Sequence, residues 1–193
     1  MKTPTSRRQD GFTLVELLVV IAIIAVLAGA GFAAGSSAIQ KAKKTTALAT
    51  CTSLELAVNS FYNDYGSMPK ENLAADATVK TDDKTFLNVL LGSEPAGGTI
   101  LNSRATKYLS VREGKNGKGG LIYIGTAVDK LVDPWGGYFF LEIDGDYNEQ
   151  ITPKVSAGGT AKILNGRRVA AWSNGADAIS GVGGKAGDDV ITW

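Results

Sequence analysis

This sequence contains no histidine and a single cysteine, Cys51. Without histidine, most metal triads and nearly all Ser-His and Cys-His nucleophile arrangements are excluded. With one cysteine, no intrachain disulfide can form. Cys51 stands in line with Leu54, Val58, Phe61 and Tyr65 at a spacing of three to four residues, which predicts a small buried residue on a helix face. Proline is sparse at 5 residues in 193, and residues 36–64 hold neither proline nor glycine. Charge of either sign is close to balanced, with 20 Lys and Arg against 19 Asp and Glu. That balance gives no sign of nucleic-acid binding. At this length, one domain plus one long helix is the natural organisation.

What the chain does have is a long apolar run. From Leu17 to Gly35 no residue is charged. A helix needs about 20 apolar residues to cross a bilayer, so this run predicts a membrane span. One acid, Glu16, sits at its mouth. A charged side chain at the centre of a membrane helix costs roughly 2.5–3.5 kcal/mol. The Leu, Ile, Val and Phe residues between Leu14 and Ala34 supply roughly −4 to −7 kcal/mol on the same scale. Insertion therefore survives Glu16, but the acid needs a reason to be there. Either it lies near the helix end and reaches the headgroups, or it faces a protein partner, the usual role of an intramembrane ionisable group. Lys2, Arg7 and Arg8 precede the run with Asp10 alone opposing them. This bias keeps the N-terminus cytoplasmic and exports the remainder. A secretory signal would have a shorter apolar core followed by a small-residue cleavage site; here a Gly-Phe step precedes the run instead.

The stretch Gly11-Phe-Thr-Leu-Val-Glu-Leu-Leu-Val-Val-Ile-Ala-Ile-Ile24 resembles the N-terminal signature of type IV pilins and of the pseudopilins of type II secretion. The resemblance implies cleavage after Gly11 by a prepilin peptidase and N-methylation of the new terminus, Phe12. It implies that Glu16 pairs with the Phe12 amine of a neighbouring subunit during filament assembly. The pairing is physically sensible, because a buried acid and a buried amine are each costly alone and compensate one another together. Loss of the leader removes three bases and one acid, taking the net charge from +1 to −1. The expected organisation is a cleaved leader over 1–11, a transmembrane or filament-core helix over 12–35, and a periplasmic head over 36–193 that includes the second half of the long helix.

The helical pattern continues past the membrane. One helix is expected from about Phe12 to Tyr65, roughly 80 Å long at 1.5 Å per residue. Its second half should carry an apolar stripe of Leu48, Cys51, Leu54, Val58 and Phe61 against the head. Lys41, Lys43 and Lys44 solvate the helix as it emerges. Gly31 and Gly35 form a small-xxx-small pair that lets helices approach closely, or they loosen the helix locally. Gly66 and Pro69 end the helix. A short helix is expected near Lys84–Leu91 and a loop at 114–120. Three strand-like runs follow near Leu121–Ala127, Tyr138–Ile143 and Arg168–Trp172. The expected fold is α+β: a long N-terminal helix packed on a small antiparallel sheet, as in pilins.

The segment Asp133-Pro-Trp-Gly-Gly-Tyr-Phe-Phe140 resembles a motif of the major pseudopilin of type II secretion. So does the end of the chain, from Ala171 to Trp193, which in that family wraps a calcium ion. The resemblance implies Asp177, Asp188 and Asp189 as carboxylate ligands, with backbone carbonyls near Asn174 and Ile179 completing the shell. Calcium takes six to eight oxygens of this kind in flexible geometry. Ala178 stands where that family usually has glycine, and the spacer between Asp177 and Asp188 is long. Upstream, Asp144, Asp146 and Asn148 imitate the start of an EF-hand loop. Glu149 at the sixth position and Val155 at the twelfth break that pattern, and the segment reads as a hairpin turn.

Three functions are thus in play. The first is a pseudopilin that polymerises with itself and other pseudopilins on an inner-membrane assembly platform. The second is a pilin of a type IV pilus for adhesion, motility or DNA uptake. The third is a membrane-anchored enzyme, which the adjacency of Asp188 and Asp189 in a Gly-rich loop disfavours, since a hydrolytic carboxylate pair needs fixed separation. No catalytic residue is assigned.

Overall fold

The computed structural model describes residues 12–153, 155, 162–179 and 188–193, excluding the side chains at 30, 31, 33 and 34. One helix, α1, runs Leu14–Tyr65 over 52 residues, as the uninterrupted helical pattern predicts. Gly66 ends it with φ +69 and donates its N–H to the Tyr62 carbonyl at 2.7 Å. That left-handed turn suits glycine because it carries no Cβ.

The chain divides into two compact units, residues 1–41 and 42–193. In the first unit, every described side chain from Leu14 to Gly29 is exposed. So large an apolar surface with no protein over it calls for lipid or other subunits. Among the described residues no helix is long and apolar enough to cross a membrane, and the unbroken stretch of described side chains ends at Gly29.

In the second unit α1 buries Ala47, Cys51, Leu54, Val58 and Phe61. This seam corrects the expected stripe at one position: Leu48 is 43% exposed and Ala47 takes its place. Ala47 lies four residues before Cys51, a full turn on the same face, while Leu48 is rotated toward solvent. A second helix, α2, spans Lys84–Leu91. The Asp83 side chain caps it by accepting the Phe86 N–H at 3.1 Å. Gly92, in the left-handed region, closes its other end.

Among the described residues, eight short strands follow the pattern of turns: β1 Ala77–Lys80, β2 Gly120–Ile124, β3 Ala127–Val132, β4 Phe139–Ile143, β5 Gln150–Ile151, β6 Leu164–Asn165, β7 Val169–Ser173 and β8 Val190–Ile191. The main sheet is antiparallel with order β1-β4-β7-β8, while β2-β3 and β5-β6 form separate pairs. The expected first strand, Leu121–Ala127, covers β2, a turn and only the first residue of β3. Gly125 and Thr126 make a two-residue turn between Ile124 and Ala127, which face each other, and Gly125 has the positive φ such hairpins require. The segment 144–149 is not a hairpin turn. Strand β4 pairs with β1 and β7, whereas β5 pairs with β6, so these residues link two sheets.

One core joins Leu54, Val58 and Phe61 of α1, Phe86 and Leu90 of α2, Leu131 of β3, and Phe139, Leu141 and Ile143 of β4. All five residues of β7 are buried, because the main sheet is covered on both faces. On the outer face Ile151, Leu164 and Ala170 pack together beside Trp193, and Trp172 stacks on Phe140 with ring centroids 5.5 Å apart. Cys51 lies inside this core. Burial, with Glu55 and Asp133 nearby, pushes its thiol far above the ordinary range, so it stays an inert packing residue.

Candidate functional site

At the amino terminus, Gly11 lies outside the described residues. Phe12 is exposed. Glu16 sits in the first turn of α1 and forms a reciprocal cap with Thr13. Its Oε2 accepts the Thr13 backbone N–H and the Thr13 hydroxyl, each at 2.8 Å. In return Thr13 Oγ1 accepts the Glu16 N–H at 3.2 Å. This is a capping box, in which two otherwise orphaned N–H donors of the helix start are satisfied. The role of Thr13 was readable in the sequence as Thr-x-x-Glu before an apolar run, a signal the resemblance overshadowed.

At the other end of the chain a second constellation is built around Asp133, which is buried. Its Oδ1 accepts three backbone N–H groups, from Trp135 at 2.9 Å and from Gly136 and Gly137 at 2.8 Å. Gly137 is required here, since a Cβ would stand 2.9 Å from Asp133 Oδ2. That Oδ2 accepts the Ser173 hydroxyl at 2.7 Å, and Ser173 Oγ in turn accepts the Gly175 N–H at 3.1 Å. A Cβ on Gly175 would lie 2.3 Å from the Asp188 carbonyl oxygen. The Asp-Pro-Trp-Gly-Gly turn thus fixes the start of the acidic loop through a chain of buried hydrogen bonds.

The loop brings Asn174, Asp177 and Asp188 together. Asp188 Oδ2 accepts the N–H groups of Ala176 and Asp177, both at 3.1 Å. Asp177 Oδ1 accepts the Ile179 N–H at 2.9 Å. Among the described residues, Asn174 Oδ1 and Asp188 Oδ1 are buried and accept no hydrogen bond. Buried oxygens without donors are costly, and a hard cation is one group that satisfies them. This donor set fits calcium, which prefers oxygen ligands. Asp189 is placed beside Val190 at the start of β8, on the rim of a groove with Lys44 and Leu48. Part of the loop, residues 180–187, lies outside the described residues.

A different carboxylate group was missed. Among the described residues, Asp76, Asp144 and Asp146 place one oxygen each within 4.8 Å of one another, a grouping that Asp177, Asp188 and Asp189 do not make. Asp144 is fully buried and accepts the N–H groups of Asn148 at 3.1 Å and Glu149 at 2.9 Å. Loss of water around Asp76, together with the charges of Asp146 and Asp144, raises its pKa above the ordinary carboxylate value, against the opposing N–H of Gly145. The sequence showed two of these acids as neighbours but gave no sign of the third, which arrives from β1's leading edge.

Another polar link that sequence reading missed ties α1 to the sheet. Glu55 accepts the Ala171 N–H of β7 at 3.0 Å and the Thr192 hydroxyl. Arg167 stands 3.8 Å from its other oxygen.

Known proteins match the amino-terminal segment in sequence. The family described as "Prokaryotic N-terminal methylation motif" matches residues 6–32, the segment that contains Gly11, Phe12, Thr13 and Glu16. Fimbrial protein EcpC of Eikenella corrodens is 32% identical over 121 residues, covering 63% of this chain and 77% of that protein. The chain belongs to the type IV pilin family. Type IV major pilin protein PilE of Neisseria gonorrhoeae is 36% identical over 76 residues, or 39% of this chain and 46% of that protein. A fimbrial protein of Neisseria meningitidis serogroup A is 34% identical over 76 residues, again 39% of this chain and 45% of its own length. The chain therefore spans about half the length of those two relatives. No solved structure shows significant similarity. Type IV pilins are structural subunits that polymerise into filaments, and their N-terminal motif implies a membrane-anchored precursor. These relatives do not distinguish a pilin from a secretion pseudopilin.

Proposed function

We propose that this chain is a pseudopilin, the structural subunit of a periplasmic filament in type II protein secretion. A prepilin peptidase cleaves after Gly11 and Phe12 is methylated. Residues 12–35 anchor the subunit in the bacterial inner membrane, with residues 36–193 as the periplasmic head. The assembly platform then adds subunits, this chain and other pseudopilins, to the growing filament.

The observation that carries the reading is the buried link from Asp133 through Ser173 to the acidic loop. It couples the two segments whose sequences resemble the major pseudopilin. The same reading assigns a structural calcium ion to the loop, held by Asp177, Asp188, Asp189 and oxygens of Asn174 and Ile179. The orphaned oxygens of Asn174 and Asp188 support it. Glu16 is assigned to the Phe12 amine of a neighbouring subunit. In the single chain its carboxylate is held by Thr13, so assembly exchanges one partner for another.

The second reading is a subunit of a surface type IV pilus, and the names of the matched relatives favour it. Deleting the gene separates the two. A pseudopilin deletion retains normally exported proteins in the periplasm and leaves surface fibres intact. Loss of long surface fibres with normal export would overturn the secretion reading and establish the pilus one.

A further inference from the structure

Two parts of the second unit differ in charge. Thr46, Thr50 and Ser53 of α1 line one cavity with Arg112, Gly119 and Gly120. The turn between Arg112 and Gly119 is closed by paired backbone hydrogen bonds between Lys115 and Lys118, at 3.0 and 3.1 Å. Both lysines are exposed, and neither forms an ion pair among the described residues. Further along α1, Tyr147 packs on Tyr62 with ring centroids 6.2 Å apart and its hydroxyl accepts the Met68 N–H at 3.3 Å. Asp144 and Asp146 precede that tyrosine in the chain and meet Asp76. From Thr50 to Tyr62 the helix rises about 18 Å, so the basic turn and the acidic corner stand beside different stretches of α1.

The cation beside the acidic corner, Arg168, lies over the Tyr62 ring 4.7 Å from its centroid and pairs with Glu149. No Lys or Arg forms an ion pair with Asp76, Asp144 or Asp146 among the described residues. Asp76 Oδ1 is enclosed and accepts no hydrogen bond there. Asp146 is exposed and opens the corner to solvent. Three carboxylates this close repel one another, and an ammonium brought alongside relieves the repulsion.

We propose that the Asp76–Asp144–Asp146 corner of one head receives the Lys115–Lys118 turn of a second copy of this chain. The contact joins two different surfaces, so it is heterologous, and repeating it builds an open helical array rather than a closed dimer. It rests on the reading of the chain as a filament subunit. It adds a polar contact between heads to the packing of the apolar helices.

Disulfide trapping in assembled filaments tests it. Full-length copies carrying Lys118→Cys are mixed with copies carrying Asp146→Cys and treated with a mild oxidant. Cys51 is buried and does not compete. The mixture should give linked dimers at least roughly tenfold above either variant alone. Lys115→Cys serves as a second probe should Lys118→Cys fold poorly. Filaments that form normally but yield no mixed dimer with either probe overturn this contact and leave the filament reading standing. Failure of the unsubstituted chain to form filaments overturns both.

Charge reversal gives an independent readout. Lys115→Glu with Lys118→Glu should reduce filament yield by roughly tenfold, and adding Asp146→Lys should recover most of it. An unchanged yield, or a loss that the second reversal leaves in place, counts against the contact. Calcium distinguishes the alternative occupant. Stabilisation of the unassembled full chain by millimolar calcium that Asp146→Asn abolishes would make the corner a cation site and overturn the proposal.

Discussion

Glu16 and Thr13 hold each other. One carboxylate oxygen of Glu16 takes both the backbone N–H and the hydroxyl of Thr13, while Thr13 Oγ1 takes the Glu16 N–H. The cap starts a helix whose next residues are all apolar and exposed. It also gives the acid a partner before any neighbouring subunit arrives. Thr13→Val keeps the shape of the side chain and loses its hydroxyl, and should weaken the first turn of α1 by about 0.5–2 kcal/mol. Hydrogen exchange in detergent micelles should then show faster exchange of the first-turn amides, with Thr13→Ser close to the original.

The Asp133 side chain accepts four hydrogen bonds. Removing it strands the N–H groups of Trp135 and Gly137 and the Ser173 hydroxyl, while the Gly136 N–H keeps the Asp133 backbone carbonyl. Each buried donor left without an acceptor costs about 1–3 kcal/mol. Asp133→Ala should therefore destabilise the folded head by about 3 kcal/mol or more, read as a lower midpoint in urea unfolding.

The acidic loop should respond to calcium. At a hundredfold excess over its dissociation constant, a ligand that binds the folded state alone adds about 2.7 kcal/mol. For a chain of this size that corresponds to a rise of roughly 5–10 °C in melting temperature. Asp177→Ala should remove most of the rise, as should a chelator. An unchanged melting temperature across millimolar calcium would refute the site.

Asp76 predicts a pH dependence of definite sign. Its folded pKa is raised by lost hydration and by Asp146 and Asp144, so the folded head binds the Asp76 proton more tightly than the unfolded chain does. This contribution to stability is fully present below the unfolded value and is lost as pH rises through the folded one. Asp76→Asn should flatten that loss and raise the melting temperature at pH 7 relative to the original chain. Melting curves from pH 3 to pH 8 on both proteins check it.

The helices were legible in the sequence because their signals are local and repeated. An unbroken helical pattern up to Gly66 gave α1, and the apolar spacing from Lys84 to Leu91 gave α2. The strands were legible only where they were apolar and five residues long, as in β4 and β7. β1, with four residues, pairs with β4 some sixty positions on, and nothing local marks it. β3 beyond Ala127 was not legible because Asp129 and Lys130 interrupt its apolar pattern. The candidate site divided in the same way. The Glu16 segment is contiguous and could be read directly, whereas the trio of Asp76, Asp144 and Asp146 and the bond from Glu55 to Ala171 depend on chain folding over long separations.

Filament formation by the Glu16→Ala variant tests the central claim, that this acid registers one subunit against the next. Membranes expressing either form are fractionated for the anchored chain, and assembled material is imaged by electron microscopy. The variant should be anchored in the membrane at the original level and should give no filaments. Filaments of normal length and number from Glu16→Ala would contradict the account.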